Sequence, residues 1–265
     1  MATCVAVEST LLRDRLEIAD DLGAILPAES GRVQAAMRYA VLGTGQRLRP
    51  MLAIRVARVL GKVDHSTRTA GAAIELLHCA SLIVDDLPCM DNDGMRRNRP
   101  TLHVQFGEAT AVLAAFALVA LAARLVADFP GFQIKLLNTL DCNQLIQGQS
   151  LDLELTGSSR NLQRPLITDL KTVPLFNLSI EAGLLSSRAS QDDQQALSSF
   201  GYELGAAYQI LDDYMDGEIA DAAAVEAQFS KARSCLKVFG SRAYPLEELL
   251  DYLNGKISEK NSRSR

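Results

Sequence analysis

The feature that most constrains this chain is an apolar helical run, residues 75–84, that ends in a dense group of acids. Three carboxylates and then two guanidinium groups follow the run: Asp85, Asp86, Asp91, Arg96 and Arg97. Carboxylates this close raise one another's pKa unless cations lie between them. Hard oxygen ligands suit Mg²⁺, and arginines bind phosphate through forked N–H donors. The segment therefore predicts a site for a metal and a phosphate group at the end of a buried helix.

A second acidic cluster lies much later in the chain. Gln209, Asp212, Asp213 and Asp216 are spaced i, i+3, i+4 and i+7, which puts them on one face of a helix. One such cluster alone is explained equally well as a solvated acidic face or as a helix cap. Two clusters, each on an apolar helix, favour a shared polyvalent cation.

Composition favours one globular domain without a nucleic-acid or membrane-surface partner. The chain has 265 residues, 48% of them hydrophobic, which is enough for one sizeable core. We predict a single domain over 1–253 and a polar tail over 254–265 that is disordered in solution. The net charge of −5 provides no global basic field, so an anionic substrate has to be bound by local arginines and metal.

The cysteines and the N-terminus predict a cytoplasmic protein. The five cysteines show no CxxC spacing and lie mostly in helical patterns, where cysteine acts as a small apolar residue. The N-terminus lacks a basic region followed by an apolar stretch, so it does not resemble a signal peptide. The longest apolar run, Ala111–Ala123, has 13 residues, fewer than the roughly 20 that a membrane span needs, and predicts a core helix.

Helical periodicity runs along almost the whole chain, and no segment alternates as a strand does. The fold class is therefore all-α, a bundle with inward-facing ligand groups. We expect a kink near Pro174 and a polar loop over 157–165. The predicted helices are 8–22, 30–43, 50–61, 66–85, 102–126, 134–155, 166–185, 192–216, 220–239 and 245–253.

Two further features lie near the first acidic cluster. The segment GTGQRLRP, residues 43–50, combines glycines with Arg47 and Arg49 and has the composition of a phosphate loop, although such residues are more often plain helix caps. His78 lies two turns before Asp85 on nearly the same helical face. A role for His78 as a phosphate donor and a role as an ordinary core residue are equally compatible with this placement.

Taken as a set, the motifs between about Met37 and Asp216 resemble the trans-isoprenyl diphosphate synthases, the polyprenyl synthetase family. The resemblance is strongest to bacterial geranylgeranyl diphosphate synthases of the carotenoid-pathway type. It is carried by DDxxxxD (85–91), RRxxPT (96–101), GQxxDL (148–153), the KT pair (171–172) and a second aspartate motif after a glutamine. The resemblance implies an isoprenoid-synthase-like helical bundle with a central cavity, a homodimer, and the two acidic motifs facing each other at the cavity mouth.

The resemblance also implies roles for individual residues. Asp85 and Asp91 would bind one pair of Mg²⁺ ions and Asp212 would anchor a third, with Asp216 in the same ligand set and Mn²⁺ as a substitute. The remaining catalytic candidates are Asp86, Asp213 and Lys171. Residues expected to bind the allylic diphosphate are Arg96, Lys171, Thr172 and Gln209. Residues expected to bind isopentenyl diphosphate are Gln46, Arg49, His78 and Arg97.

The implied reaction is ionisation of the allylic C–O bond, attack by the isopentenyl double bond, and loss of a proton. Mg²⁺, arginine and lysine stabilise the departing pyrophosphate, and apolar walls exclude water. The chain departs from the family pattern in two places: Gln46 replaces a lysine, and a lysine expected after the second acidic motif falls on Ala223. We take Lys231 as the candidate substitute for that second lysine.

Product length is predicted from the helix that leads into the first motif. Ala80 and Ser81 lie five and four residues before Asp85, roughly 6–8 Å along the helix. In the resembling family, an aromatic residue at the fifth position stops the product at C15, so Ala80 predicts a C20 product made from farnesyl diphosphate. Phe116 is the candidate for a deeper floor.

Three other functions remain open from the sequence. One is a shorter-chain synthase that makes C10 or C15 products. Another is a class I terpene cyclase, which pairs DDxxD with an Asn/Ser/Glu triad instead of a second aspartate motif. The third is a weakly active or regulatory subunit of a heteromeric synthase, although such subunits usually lose the acidic motifs.

Overall fold

The computed structural model describes residues 2–155, 157–219 and 221–263. The helices of the first half are α1 Ala2–Ile25, α2 Arg32–Val41, α3 Leu48–Val59, α4 His65–Asp85, α5 Leu102–Phe106 and α6 Glu108–Leu125. Those of the second half are α7 Pro130–Thr139, α8 Leu145–Glu154, α9 Gly157–Lys171, α10 Val173–Leu184, α11 Gln191–Asp216, α12 Ala222–Cys235 and α13 Tyr244–Arg263, with a 3₁₀ helix over Lys237–Ala243. The strands in the described chain are β1, Met95–Arg96, and β2, Arg99–Pro100, which pair antiparallel. The all-α prediction is confirmed.

The centre of the bundle is formed by α3, α4, α10 and α11, with α6 packed against α4 and α12 against α11. Helix α4 is buried along most of its length, including Leu76, Leu77 and Ala80. Helices α3 and α10 approach closely because residue 183 is glycine: a Cβ there would lie 2.5 Å from Val56 Cγ1. The helices that carry the acidic motifs therefore belong to the core, which fixes their positions.

Helix α6 is a core helix on one face and exposed on the other. Ala111, Ala114 and Leu118 are buried against α4, whereas Leu113 and Phe116 are exposed. Within the described chain, α6 meets the length and composition test for a membrane span, a test that buried core helices also meet. The predicted helix over 102–126 is split by Gly107, whose φ of +83° is a conformation that glycine adopts readily.

A buried ion network ties the two ends of the chain to α3. Arg55 donates to Asp14 Oδ2 of α1 at 2.8 Å and to Glu248 Oε2 of α13 at 3.0 Å. Arg58 donates to Asp14 Oδ1 at 2.6 Å. Burial by itself would raise the pKa of Asp14, but Arg58 and Arg55 lower it below its usual value. Removing one partner would leave an uncompensated buried charge, which typically costs about 3–5 kcal/mol.

Two segments differ from the sequence prediction. The predicted loop over 157–165 is wrong, because α9 spans this segment; its described side chains are mostly exposed up to Pro165, so no apolar stripe marked the helix. The predicted disordered tail is also wrong as far as Arg263, because α13 continues through it. Leu253 and Ile257, one turn apart, are both buried and hold this part of α13 on the bundle.

The expected kink near Pro174 is a break between two helices. Helix α9 ends at Lys171 and α10 begins at Val173, so Thr172 lies between them. Pro174 occupies the first turn of α10, where the backbone nitrogen needs no helical partner. This break turns the Lys171 and Thr172 side chains toward the same cavity.

Candidate functional site

A cavity of about 1170 Å³ lies inside the bundle, walled by α4, α6, α8, α9, α10 and α11. Charged and amide side chains line part of it. Apolar side chains line much of the remainder, namely Leu82, Val84, Val112, Ala115, Val119, Leu140, Leu145 and Leu175. Such a cavity can hold both an anionic head group and a hydrocarbon chain.

The first acidic motif lies where α4 ends and the chain turns back. The Asp91 backbone N–H donates to the Asp85 carbonyl oxygen at 2.9 Å, and both side chains line the cavity. Burial raises the pKa of Asp85 to about 6; nearby Lys171 opposes this shift, and Asp91 and Asp86 add to it. Lys171 Nζ lies 3.9 Å from Asp85 Oδ2 and 2.9 Å from Asp152 Oδ2. The motif thus combines carboxylates that repel one another with one cation.

The Asp86 side chain, unlike those of Asp85 and Asp91, does not line the cavity. Asp86 is buried, with a side chain that is 6% exposed, and its Oδ1 accepts a 2.6 Å hydrogen bond from Arg96 Nε. Arg96 also donates to Asp93 Oδ2 at 3.2 Å, and its side chain lines the cavity. Asp86 therefore contacts Arg96 and does not line this cavity, and the catalytic role expected from the sequence stays a prediction.

The second acidic motif lies within α11, and its predicted face lines the cavity: Gln209, Asp212, Asp213 and Asp216. Thr172 Oγ1 donates to Gln209 Oε1 at 2.5 Å, and Gln209 Nε2 donates to Asp213 Oδ1 at 2.9 Å. Asp212 is exposed at the mouth. Desolvation by the surrounding protein raises its pKa, and Asp216 and Asp213 raise it further.

These carboxylates fit a magnesium site that is completed by a substrate. Among the residues that the structure describes, no group of three acidic, histidine or cysteine side chains forms a metal cage. Mg²⁺ is usually bound in proteins by one or two carboxylates together with waters and substrate phosphates. The pairs Asp85 with Asp91 and Asp212 with Asp216 supply that number of ligands, and their mutual repulsion is what a cation would relieve.

Basic and amide side chains form a further part of the cavity wall. Arg49 is buried with its guanidinium carbon 5.4 Å from the Phe176 ring centroid, and its Nε has no hydrogen-bond partner. Gln46 Oε1 is likewise buried and unpaired, as are both amide atoms of Gln149. Buried polar atoms without partners cost free energy unless a ligand or water satisfies them. This wall is therefore suited to a polar ligand.

His78 lines the same wall as a neutral imidazole. Burial lowers its pKa well below the usual value, and the charges of Arg49 and Arg97 lower it further. A neutral imidazole donates one hydrogen bond and carries no charge. His78 thus belongs to a packed helix and also lines the cavity, and its role as a phosphate donor stays a prediction.

The Arg47 side chain is held by contacts within the protein. Its Nη1 pairs with Glu75 Oε1 at 2.8 Å in a buried ion pair, and its Nη2 donates to the carbonyl oxygens of Val41 and Gly43. Arg47 is the residue that precedes α3, and its backbone φ is +52°. Both arginines of the 43–50 loop line the cavity, but Arg47 is paired with Glu75, whereas the Nε of Arg49 has no hydrogen-bond partner.

Three predicted positions have different outcomes in the structure. Ala80 is 2% exposed and lines the cavity together with Ser81, so both lie in its wall as expected. Phe116 also lines the cavity, but it is 70% exposed and does not form a buried floor. Lys231 is exposed on α12, outside the cavity, because α12 packs on the far side of α11.

The structure adds site residues that sequence reasoning missed. Arg164 of α9 contacts Asp213. It was missed because the polar composition of this segment predicted a loop. Tyr208 lines the cavity beside the second motif, and its position directly before Gln209 was the available signal. Lys256 of α13 lies within electrostatic reach of Asp212, but it belongs to a segment expected to be disordered.

Comparison with known proteins adds a consistent set of relatives. The polyprenyl synthetase family matches residues 30–227. A geranylgeranyl diphosphate synthase of Pantoea ananas is 37% identical over 92% of this chain and 86% of its own length. A farnesyl diphosphate synthase of Bacillus subtilis is 32% identical over 70% of this chain and 67% of its own length. The crystal structure of a geranyltransferase from Legionella pneumophila superposes with a TM-score of 0.88 at 29% identity, covering 96% of this chain and 99% of the other.

Proposed function

Because this chain belongs to the polyprenyl synthetase family, we propose that it condenses isopentenyl diphosphate with an allylic prenyl diphosphate. Prenyl transfer is the activity class of its relatives, both of geranylgeranyl and of farnesyl diphosphate synthases. The observation that carries the proposal is the cavity of about 1170 Å³, which is lined by both acidic motifs, by basic side chains and by many apolar side chains.

The allylic diphosphate binds between the two acidic motifs. Lys171 faces the first motif, and Thr172 and Gln209 are hydrogen-bonded to each other beside the second. Arg96, oriented by Asp86, points into the same space. As the C–O bond breaks, negative charge grows on the leaving pyrophosphate, and these donors stabilise it.

Isopentenyl diphosphate binds against Arg49, His78 and Arg97, with Gln46 where the family has lysine. Arg97 is exposed, and its Nη1 donates to the Thr44 carbonyl oxygen at 3.3 Å. The Nε of Arg49 is buried without a hydrogen-bond partner and can donate to a diphosphate, and Gln46 can donate through its side-chain amide nitrogen. The site therefore has two charged donors and one neutral donor for the second diphosphate, with neutral His78 as an additional hydrogen-bond donor.

Magnesium is the proposed cofactor, three ions in all, with Mn²⁺ as a substitute. Asp85 and Asp91 would hold one pair, and Asp212 with Asp216 would hold the third. When bound, the ions neutralise the diphosphate and draw electrons from the breaking C–O bond. The raised pKa values of Asp85 and Asp212 support this ligand set, because a nearby cation would stabilise their ionised forms.

We propose a C20 product, geranylgeranyl diphosphate, made from farnesyl diphosphate. The relatives include both C15 and C20 synthases, so they do not select between the two lengths. The support comes from Ala80, whose small side chain lies in the cavity wall about 7 Å along α4 from Asp85. A small side chain at this depth leaves room for a longer hydrocarbon.

We also propose a homodimer in the cytoplasm. Phe116 lines the cavity yet is 70% exposed, so in one chain the wall near α6 is open to solvent. A second copy packed on the exposed face of α6 would close it. The described cysteines Cys79, Cys89, Cys142 and Cys235 are free thiols, which suits a reducing compartment.

Incubation of the purified chain with Mg²⁺, isopentenyl diphosphate and each allylic starter tests the proposal. We expect C20 product from farnesyl diphosphate, with one pyrophosphate released per condensation, and none in excess EDTA. The Lys135→Ala variant, which removes a surface ion pair with Glu181, is a control and should behave as the wild type. Absence of product with every starter would contradict the proposed function, and a C15 end product would contradict only the proposed length.

A further inference from the structure

Helix α9 presents one cation to each acidic motif. Its cavity face is formed by Arg164, Ile167, Thr168 and Lys171, spaced i, i+3, i+4 and i+7. Lys171 lies beside the first motif, 3.9 Å from Asp85. Arg164 lies seven residues earlier, about 10 Å along the helix axis, beside the second motif. One helix therefore spans the mouth with a basic residue at each end.

Arg164 is connected to the residues proposed to bind the allylic diphosphate. Its Nη1 contacts Asp213 Oδ2 at 2.6 Å and Glu218 Oε2 at 2.7 Å, and its side chain is 27% exposed. Asp213 accepts a hydrogen bond from Gln209 through its other oxygen, and Gln209 accepts one from Thr172. A single carboxylate thus separates Arg164 from this pair.

Arg164 lies at a motif that lacks one of the basic residues of the family pattern. The lysine that the family pattern would put after this motif is missing, since Ala223 stands at its position, and Lys231 lies outside the cavity. Arg164 lines the cavity at that end and already pairs with the motif. A guanidinium group offers forked donors that suit a diphosphate.

We propose that Arg164 is a substrate-binding residue, which contacts the diphosphate of the allylic substrate at the second acidic motif. This inference rests on the proposed function. Without substrate, Asp213 and Glu218 hold the guanidinium at the mouth; with substrate, it donates to the diphosphate. It supplies from α9 a forked cation at the motif where Ala223 stands in place of the family's lysine.

The test is calorimetric binding of inorganic pyrophosphate in the presence of Mg²⁺, with steady-state kinetics of both substrates. We expect Arg164→Gln to weaken pyrophosphate binding and to raise KM for the allylic substrate by about tenfold, the size of effect of one charged hydrogen bond. The KM for isopentenyl diphosphate should stay unchanged. Arg164→Lys, which keeps the charge but loses the fork, should fall between the wild type and Arg164→Gln.

The outcomes separate the inference from the proposed function. Unchanged pyrophosphate affinity in Arg164→Gln, or an equal rise in KM for both substrates, would overturn the role of Arg164. If Arg164→Gln does not fold, Arg164→Lys decides: a selective rise in allylic KM supports the role, and unchanged values overturn it. Absence of product from the wild type, with pyrophosphate binding still weakened in Arg164→Gln, would refute the proposed function and leave the diphosphate contact standing.

Discussion

The two acidic motifs have similar composition but differ in backbone setting. The second lies within regular α11, so its side-chain directions follow from helical spacing, and all four predicted residues line the cavity. The first spans the end of α4 and the turn after it, where Asp91 folds back toward Asp85. In this turn the sequence spacing does not predict where the side chains point, and Asp86 faces Arg96 instead of the cavity. Periodicity therefore locates ligand groups inside helices better than at helix ends.

The motifs also differ in the cations that face them. Asp85 has Lys171 at 3.9 Å, whereas Asp213 has Arg164 at 2.6 Å. Asp86 is paired with Arg96 behind the first motif, and Lys256 lies within electrostatic reach of Asp212 near the second. One acid of each motif thus holds a basic side chain, Asp86 in the first and Asp213 in the second, and the remaining carboxylates are the proposed metal ligands.

The largest expected effect comes from removing one carboxylate of each motif. Asp85→Ala and Asp212→Ala should each reduce turnover by more than about a hundredfold, because each removes a ligand of the ions that stabilise the leaving group. Both residues are partly exposed to the cavity or the mouth, so the fold should survive. Turnover assays measure the loss of activity, and circular dichroism measures whether the fold survives.

Asp86→Asn provides the contrast within the first motif. Because Asp86 contacts Arg96 and does not line the cavity, we expect a smaller loss, expressed mainly as a higher KM for the allylic substrate. A loss as large as that of Asp85→Ala would show that Asp86 is a metal ligand. Equal activity in all these variants would remove the basis for the comparison between the motifs.

The next largest expected effect is a change of product length. It tests α4, which carries Ala80, without changing α11. Ala80→Phe should fill the space beside the first motif and shift the main product from C20 to C15 or shorter, because the growing chain meets the ring. Mass spectrometry of the products measures the shift. Pyrophosphate release should continue, which shows that ionisation is intact; C20 product from the variant would place the floor elsewhere.

The smallest expected effect concerns the part of the cavity wall that carries Gln46. Gln46→Lys should lower KM for isopentenyl diphosphate about fivefold, because a charged donor exceeds a neutral amide by about 1 kcal/mol. The unpaired Oε1 of Gln46 would be replaced by an ammonium group facing the cavity. Steady-state kinetics should show no change for the allylic substrate. A shift for the allylic substrate alone would place residue 46 at the other diphosphate.

Much of this architecture could be predicted from the sequence because it follows from periodicity. The all-α class, α4 leading to Asp85 and α11 carrying Asp212 all rest on apolar spacing. Helix α9 was missed because its exposed first half has no buried stripe, and Arg164 was missed with it. The helical end of α13 was missed because the polar residues around Ile257 masked one buried position.

Side-chain partners were the other part that the sequence could not supply. Arg47 and Arg49 are two residues apart and equally basic, yet Arg47 is paired with Glu75 and the Nε of Arg49 has no hydrogen-bond partner. The difference depends on Glu75, which lies on another helix. Contacts between distant segments of this kind do not follow from local spacing.

The central claim is that the two acidic motifs form one site for a metal-bound diphosphate. A double-mutant cycle tests it: Mg²⁺-dependent binding of inorganic pyrophosphate is measured by calorimetry for wild type, Asp85→Ala, Asp212→Ala and the double variant. We predict that each single change weakens binding at least about tenfold and that the two losses are coupled by roughly 1 kcal/mol or more. Losses that add to within about 0.5 kcal/mol, or binding that persists without Mg²⁺, would contradict the account.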